Sequence, residues 1–250
     1  MDLGIEGRTA LVLGASKGIG RGIASALARE GASVAIASRT AETLERAAAE
    51  IEGDVRPFVA DTADLERLEG LPGEVEAKLG PISILVTNTG GPPPGGALDA
   101  DVDAWREAYD SLVLAPRVLI GTVLPGMRER GWGRIVNVGS SSTREPIGGL
   151  TLSNSHRPGL VGFLKTLARE VAADGVTVND IATGRFATDR LAANWGGWEE
   201  MERGAPKDVP AGRLGQPAEY GDLVAFLCSE RAGYVTGASI PIDGGLLHSV

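Results

Sequence analysis

The chain has 250 residues, of which 43% are hydrophobic and 23% are charged, and its formal net charge at pH 7 is −9. These values are typical of a globular protein, and the negative charge argues against a nucleic-acid-binding surface. The single cysteine, Cys228, excludes an internal disulfide and favours a reducing compartment, the cytoplasm. Met1–Arg8 has no basic and apolar leader, so we expect no signal peptide. The apolar stretch Leu112–Leu124 is interrupted by Pro116 and Arg117 and is too short for a membrane span, so we expect no membrane partner.

Apolar runs typical of strands alternate along the chain with segments of helical periodicity. The predicted strands are Thr9–Leu13, Ser33–Ala37, Val55–Val59, Ile82–Val86, Arg134–Val138, Val176–Ile181 and Ser239–Ile242. The predicted helices are a first one that ends near Gly31, then Ala41–Ile51, Asp64–Leu79, Asp101–Arg130, Ser155–Ala173 and Gln216–Ser229. The alternation predicts an α/β fold in which helices cover both faces of a parallel sheet. Right-handed crossovers make such a sheet doubly wound, with binding sites at the carboxyl ends of its strands.

A glycine-rich turn joins the first predicted strand to the first helix. Gly14, Gly18 and Gly20 follow the spacing G-x-x-x-G-x-G. Such a turn lets backbone N–H groups approach a pyrophosphate, and the helix N-terminus adds a favourable dipole. Glycines also make ordinary tight turns, but the strand before this one and the helix after it favour dinucleotide binding.

No Pro/Ser-rich linker divides the chain, so a single domain over residues 1–250 is the simplest prediction. Two irregular segments stand out within it. Gly90–Gly96 contains three prolines, which stiffen it. Gly184–Gly215 is long for a connection in a compact fold, and it carries Trp195 and Trp198. We expect this second segment to be a lid over a substrate; a surface excursion or a subunit contact is the alternative.

Further motifs follow the strands at regular intervals. Besides the three glycines they are Asp61, Asn88-Thr89-Gly90, Arg134–Ser140, Gly162–Glu170, Val176–Asn179, Gly212–Pro217, and Thr236-Gly237 through Asp243-Gly244-Gly245. With these motifs the chain, from about Leu3 to Gly245, resembles the short-chain dehydrogenase/reductase family, and most of all its 3-oxoacyl-acyl-carrier-protein reductase type. The resemblance implies one Rossmann-like domain with a seven-stranded parallel sheet. It also implies a homotetramer or homodimer in which the helix from near Ser155 and the one containing Trp105 to Leu124 pack between subunits.

The end of the second strand indicates which nicotinamide cofactor the chain prefers. A carboxylate there would bind the adenosine ribose of NAD and repel a 2′-phosphate. The segment Ile36–Thr40 has no acidic residue but contains Arg39, and Lys17 lies within the glycine turn. Because Arg and Lys can clamp a phosphate dianion, we expect NADP(H) to be preferred over NAD(H). The alternative is that both side chains are simply solvated.

The resemblance also assigns cofactor contacts residue by residue. It implies that Asp61 meets the adenine amino group, that Asn88 and Gly90 line the ribose and nicotinamide, and that Thr188 meets the carboxamide. A capping role for Asp61 at the N-terminus of the third helix is a second interpretation. The full expected cofactor-binding set is Gly14, Ser16, Lys17, Gly18, Ile19, Gly20, Arg39, Asp61, Asn88, Gly90, Arg157, Gly184 and Thr188.

The catalytic pattern of the family is only partly present. Ser140 stands where the family has its catalytic serine, and Ser153 and Arg157 stand where it has the Tyr and Lys of a Tyr-x-x-x-Lys pair. The family's asparagine should fall near Ser111 or Leu112, and neither is Asn. A serine hydroxyl is shorter and far less acidic than a phenol, and Arg157 stays charged at any working pH. Arg157 can therefore bind a ribose or phosphate oxygen or stabilise an oxyanion, but it cannot transfer protons as Lys can. Ser140, Ser153 and Arg157 are the predicted catalytic positions.

Three sources could replace the missing proton donor. They are His156, which titrates in the useful range, Tyr109, and water held by Ser140 and Asn154. A metal site is not expected, because no Cys/His cluster has ligand spacing. A hydrolase is not expected either, because Ser140 lacks the G-x-S-x-G motif.

Two functions from different classes therefore follow from the sequence. The first is an NADP(H)-dependent oxidoreductase that reduces a carbonyl. Its partner is a small-molecule carbonyl or alcohol substrate, and a 3-oxoacyl thioester is one candidate. The second is a nucleotide-binding protein without reductase activity that acts as a regulator or subunit partner. The intact glycine turn is compatible with both, whereas the lost Tyr favours the second and the retained Ser140 favours the first.

Overall fold

In the computed structural model, which describes residues 1–249, seven parallel strands form one sheet in the order β3-β2-β1-β4-β5-β6-β7. The strands are β1 Thr9–Leu13, β2 Ser33–Ser38, β3 Val55–Val59, β4 Ile82–Thr87, β5 Gly133–Val138, β6 Val176–Thr183 and β7 Ser239–Ile242. The strand order reverses between β1 and β4, and in such a sheet ligands bind outside the carboxyl ends of the strands at that point.

Nine helices connect and extend these strands within the described residues. They are α1 Gly18–Arg29, α2 Ala41–Glu50, α3 Leu65–Leu79, α4 Val102–Tyr109, α5 Ala115–Glu129, α6 Thr151–Val171, α7 Asp189–Asn194, α8 Trp198–Gly204 and α9 Pro217–Leu227. A π-helical turn, Asp110–Leu114, joins α4 to α5, and short 3₁₀ turns occur at Ser141–Thr143, Ala172–Asp174 and Ala205–Asp208.

All seven strands agree with the predicted ones to within two residues at each end. The five inner strands are apolar runs buried on both faces of the sheet, whereas the edge strands β3 and β7 are partly exposed. The helices differ more. Helix α6 begins at Thr151 rather than Ser155, which puts Ser153 and Arg157 on one helix. The predicted helix Asp101–Arg130 contains the π turn, which widens the helix at Ser111 and Leu112.

Two apolar layers enclose the sheet. Alternate residues of a strand point to opposite faces, so Leu11 and Leu13 of β1 pack with residues of α3, α5 and α6, while Val12 packs with residues of α1 and α9. Helices α1 and α9 touch where Gly221 lies against Gly22: a Cβ on Gly221 would be 2.3 Å from the Gly22 carbonyl oxygen. This contact holds α1, and with it the glycine turn, against the sheet.

One helical stretch among the described residues, Val102–Glu129, has the length and hydropathy of a membrane span. Its α5 part buries Ala115, Leu119, Ile120 and Val123 against the sheet. A core helix with this packing passes the same test of length and hydropathy, so the stretch is weak evidence for a membrane span.

Candidate active site

The glycine turn after β1 lies directly against the end of β4. Gly14 and Gly18 have φ angles of +59° and +56°, in the left-handed region. A Cβ on Gly20 would lie 2.2 Å from the Gly14 carbonyl oxygen, and one on Gly14 would lie 2.6 Å from the Asn88 carbonyl oxygen. The side-chain amide of Asn88 donates to the Gly14 carbonyl at 3.3 Å. Gly14 and Gly20 therefore leave no room for a side chain, and Gly18 has a backbone conformation that favours glycine. The cradle they form fits the close backbone approach that a dinucleotide requires.

Helix α1 begins at Gly18, so its unpaired backbone N–H groups face this turn. Ser16 and Ile19 lie half-buried beside it. Lys17 precedes the helix with its side chain 71% exposed, and its Nζ lies 3.3 Å from the Asp189 carboxylate. The expected phosphate-binding lysine is therefore also tied to the segment that follows β6.

The end of β2 presents donors suited to a phosphate. The turn lies beside it, since the Ala15 N–H donates to the Ala37 carbonyl at 3.3 Å. The buried Oγ of Ser38 has no hydrogen-bond partner among residues 1–249, and the adjacent Arg39 is exposed. A buried hydroxyl without a partner costs free energy unless a ligand supplies one. Ser38, which the sequence argument passed over, therefore joins Arg39 and Lys17 as a candidate phosphate contact.

Asp61 follows β3 and is half-buried. Its carboxylate accepts a hydrogen bond from the Ala63 N–H at 3.1 Å. The N-cap of α3 is Asp64, which accepts from the Arg67 N–H at 2.9 Å. The capping interpretation of Asp61 was therefore wrong by three residues, because Leu65 already begins the helix.

The segment after β6 approaches the glycine turn at Thr188. A Cβ on Gly18 would lie 3.3 Å from the Thr188 methyl group. The Thr188 hydroxyl caps α7 by accepting from the Leu191 N–H at 3.3 Å. Gly184 packs against the loop after β7, where a Cβ would lie 2.5 Å from the Cα of Asp243.

Ser140, Ser153 and Arg157 come together at the carboxyl end of β5. Ser140 is half-buried, and its Oγ accepts from the Ser142 N–H at 3.1 Å. Ser153 is only 5% exposed; its Oγ lies 3.1 Å from the Ser142 Oγ and accepts from Arg157 Nε at 3.2 Å. Ser140 is thus the most accessible of the three, and Ser153 bonds the arginine from the buried side.

The Arg157 guanidinium is held by neutral acceptors. Besides Ser153 it donates to the carbonyl of Val138 at 3.2 Å and to the carbonyl of Gly90. Burial lowers the pKa of Arg157, while the negative charge of Asp180 opposes this effect. An arginine side chain stays charged at neutral pH, so Arg157 brings a buried positive charge to the ends of β4 and β5.

His156, Tyr109 and Asn154 do not join this group. His156 packs edge-on against Trp105 and Tyr109, with ring centroids 5.2 Å and 5.9 Å apart, and burial lowers its pKa. Asn154 uses its amide to bond the backbone N–H and carbonyl of Ile147 at 3.1 Å and 2.9 Å. None of the three hydrogen-bonds to Ser140 or Arg157 within the described residues, because His156 points from α6 towards Trp105 and Tyr109 of α4 and Asn154 points towards Ile147.

Comparison with known proteins agrees with this geometry. The profile of the enoyl-(acyl carrier protein) reductase family matches residues 14–247. The 3-oxoacyl-[acyl-carrier-protein] reductase FabG of Haemophilus influenzae is 37% identical over 248 residues, which are 98% of this chain and 100% of the relative. The L-sorbose reductase of Gluconobacter frateurii, solved with NADPH and L-sorbose, is 31% identical with a TM-score of 0.94 over 100% of both chains. A solved short chain dehydrogenase/reductase family protein is 33% identical with a TM-score of 0.85, covering 98% of each chain.

The chain belongs to the short-chain dehydrogenase/reductase family. The predicted fold class, a Rossmann-like domain with a seven-stranded parallel sheet, is confirmed.

This short-chain dehydrogenase/reductase also has a buried polar network that the sequence argument missed. Asp180 of β6 accepts from the Asn137 amide and from the Ser239 hydroxyl, both at 2.7 Å, and Thr87 donates to Asn137 at 2.8 Å. Burial raises the pKa of Asp180. The available signal was an aspartate inside a predicted strand, where a carboxylate needs hydrogen-bond partners.

A second missed residue, Arg190, links the segment after β6 to the proline-containing loop. Its Nη2 donates to the Pro92 carbonyl at 2.7 Å, and a Cβ on Gly91 would lie 3.1 Å from the same atom. The two irregular segments of the sequence, 90–96 and 184–215, therefore meet beside the site. Residues 184–215 also contain two short helices, α7 and α8, separated by Gly196 and Gly197.

Proposed function

We propose that this protein is an NADP(H)-dependent short-chain oxidoreductase that reduces the carbonyl of a small molecule. The observation that carries the proposal is the half-buried Ser140 hydroxyl, which lies beside the buried Ser153–Arg157 pair. The glycine turn after β1 lies at the same carboxyl edge of the sheet as Ser140. The names of the relatives, 3-oxoacyl-[acyl-carrier-protein] reductase and L-sorbose reductase, are consistent with carbonyl reduction.

The cofactor residues divide by the part of the dinucleotide that each would hold. The pyrophosphate binds at Gly14, Gly18 and Gly20. The 2′-phosphate binds at Lys17, Ser38 and Arg39. The adenine contacts Asp61. The ribose and nicotinamide contact Asn88, Gly90, Arg157 and Thr188. The nicotinamide supplies a hydride when bound.

The protein's own groups act on the carbonyl oxygen. Ser140 donates its hydroxyl hydrogen to that oxygen and so orients the carbonyl for reduction. Arg157 stabilises the negative charge that develops there, and Ser153 positions Arg157 by accepting from its Nε. We propose solvent at Ser140 as the proton source, since His156 and Tyr109 pack on another face of α6.

The test is NADPH oxidation by the purified protein with acetoacetyl thioesters and a panel of small ketones and aldehydes. Ser140→Ala and Arg157→Ala should each lower kcat/KM by about 100-fold or more, as expected when a donor to the developing oxyanion is removed. Turnover that is unchanged in both variants would come from a contaminating reductase and would contradict the proposal.

Cofactor preference is tested separately by titrating the protein with NADPH and NADH. NADPH should bind more tightly, and Arg39→Ala should remove at least about tenfold of that difference, as for the loss of a charge-assisted hydrogen bond. Arg46→Ala, an exposed arginine on α2, is the matched control and should not change it. Equal dissociation constants for the two cofactors in the wild type would contradict the preference.

The second candidate function is nucleotide binding without reductase activity, in a regulator or subunit partner. The observation that favours it is the serine at position 153, which cannot supply the acidic hydroxyl of a tyrosine. NADPH binding with no turnover of any carbonyl would favour this second function.

We further propose that the chain works in the cytoplasm as a homotetramer or homodimer, with α4, α5 and α6 between subunits and residues 184–215 as a lid. The support is a surface groove on these helices lined by Tyr109, Val113, Leu114, Arg117, Ser155, His156, Gly159 and Phe163, and the contact of Arg190 with Pro92.

A further inference from the structure

Two arginines from different segments converge on one short loop at the end of β4. Arg157 donates to the Gly90 carbonyl and Arg190 donates to the Pro92 carbonyl at 2.7 Å. Two residues of chain span at most about 7 Å, so both guanidinium groups lie close to Gly91. Arg157 also bonds the Val138 carbonyl and Ser153, so this loop lies on the same side of the site as Ser140, two residues after Val138.

Neither guanidinium is in direct contact with a carboxylate within the described residues. Within residues 1–249, every hydrogen bond of Arg157 and Arg190 goes to a carbonyl or hydroxyl oxygen, and no carboxylate oxygen lies within 4.0 Å of either. Two other arginines of the segment after β6 do form ion pairs: Arg185 contacts Asp208 at 3.0 Å, and Arg203 contacts Glu200 at 4.0 Å. Arg157 and Arg190 thus bring two positive charges to one loop without a carboxylate in direct contact with either.

The two arginines differ in burial. Arg157 is buried and has lost much of its solvation, whereas Arg190 is exposed and open to a ligand. Two like charges that contact the same loop repel each other. Burial is the main cause that lowers the pKa of Arg157; the charge of Asp180 opposes it, and the charge of Arg190 adds a smaller lowering. An anionic group placed near Gly91 would remove the repulsion, and a guanidinium matches a carboxylate in shape and in donor spacing.

We propose that Arg190 determines substrate specificity by binding an anionic group, a carboxylate close to the carbonyl that is reduced. This inference rests on the proposed carbonyl reduction and narrows it. The carboxylate bonds Arg190 while the carbonyl oxygen reaches Ser140. Among 3-oxoacyl compounds, the free 3-oxo acid is therefore preferred over its ester or thioester.

Two other roles for Arg190 give different results in the test. Arg190 could bind a phosphate of the cofactor, since Lys17 and Asp189 lie nearby. It could also serve only to hold α7 against Pro92. The first role predicts a change in NADPH affinity, and the second predicts equal effects on charged and uncharged substrates.

The first experiment compares acetoacetate with methyl acetoacetate, which differ in the negative charge and share the same ketone. In the wild type, kcat/KM for the acid should exceed that for the ester by at least about tenfold, the effect of a hydrogen bond to a charged group. Arg190→Met should lower this ratio at least tenfold, and Arg190→Lys should retain part of it. Arg203→Met, the same substitution on α8, should leave the ratio as in the wild type.

The second experiment does not depend on turnover. Malonate and malonamide are titrated calorimetrically into the protein saturated with NADP⁺. Malonate should bind at least about tenfold more tightly to the wild type than to Arg190→Met, and malonamide should not distinguish them. NADPH dissociation constants are measured for both proteins in parallel and should agree within about twofold.

Each outcome bears on a stated claim. An ester reduced as well as the acid, a ratio unchanged in Arg190→Met, or a tenfold loss of NADPH affinity in that variant would each overturn the role of Arg190. The first two of these would leave carbonyl reduction intact. Malonate binding that depends on Arg190, in a protein that reduces no carbonyl, would support the anion site and overturn the proposed activity.

Discussion

A single serine hydroxyl at position 153 connects two parts of the site. It lies 3.1 Å from the Ser142 Oγ on the loop after β5 and accepts from Arg157 Nε at 3.2 Å, one helical turn along α6. Because Ser153 is 5% exposed, water does not readily replace either hydrogen bond. Ser153 therefore holds the loop after β5 in place and also orients the Arg157 guanidinium. A serine on the surface could not do both, because water would compete for its hydrogen bonds.

Ser153→Ala should lower the free energy of unfolding by about 1–3 kcal/mol, because it leaves Ser142 and Arg157 with buried groups that lack partners. It should also lower kcat more than it raises KM, since Arg157 loses its orientation. Urea unfolding and steady-state kinetics measure the two effects. Ser155→Ala, two residues away and exposed, is the control and should change stability by less than about 0.5 kcal/mol. Equal effects of both substitutions would contradict the role of Ser153.

At the scale of an element, the start of α9 has a capping box in which Gln216 and Glu219 hydrogen-bond to each other's backbone N–H groups. The Glu219 carboxylate accepts from the Gln216 N–H at 2.8 Å and from two N–H groups of Arg213 at 2.8 Å and 2.7 Å. These bonds lower the pKa of Glu219 from its usual 4.5 to about 2. Since α9 packs on α1 through Gly221 and Gly22, this terminus also supports the helix that begins at the glycine turn.

Glu219→Ala should lower the stability at pH 7 by about 0.3–1 kcal/mol, the range for a carboxylate at an exposed helix N-terminus. The pKa is lower in the folded state, so the charged form stabilises the fold. That contribution is complete above pH 4.5 and is lost as the pH falls from 4.5 towards about 2. Thermal unfolding of both proteins across this range should show the difference shrinking, and a difference that stays constant with pH would contradict the assignment.

At the scale of the whole molecule, the surface formed by α4, α5 and α6 carries a groove lined largely by uncharged side chains. The groove on α4, α5 and α6 has a volume of about 410 Å³. Tyr109 at its edge is 44% exposed and stacks edge-on with His156. Burial lowers the pKa of His156, which keeps this surface largely uncharged around a single arginine, Arg117. A second copy of the chain would cover it.

Sedimentation equilibrium should give a mass of two or four times the 25.8 kDa of one chain. Tyr109→Glu should shift this towards smaller species, because a buried carboxylate at a subunit contact is not compensated. Val59→Glu is the control: Val59 is 46% exposed at the end of β3, the opposite edge of the sheet. A monomer in the wild type, or an unchanged mass in Tyr109→Glu, would contradict the proposed interface.

Periodicity and spacing were sufficient for the strands, the glycine turn and the position of Ser140, because each depends on residues close together in the chain. The start of α6 was missed because Ser153 and Asn154 are weak helix formers. In the structure the Asn154 amide bonds the backbone of Ile147, and the Ser153 hydroxyl bonds Ser142 and Arg157. Tertiary contacts thus use the polar groups that would otherwise compete with the helix.

The amino-acid sequence by itself determined the order of strands and helices, the position of the glycine turn, and the family, since these follow from local hydrophobic pattern and short motifs. Only the tertiary structure decided that Ser153 is buried behind Ser140 and that Asp180 bonds Ser239 across two strands. It alone brought Arg190 to Pro92, 98 residues earlier in the chain. These contacts depend on how strands and loops meet in space, and because hydrogen bonds act only at about 3 Å, no local pattern records them.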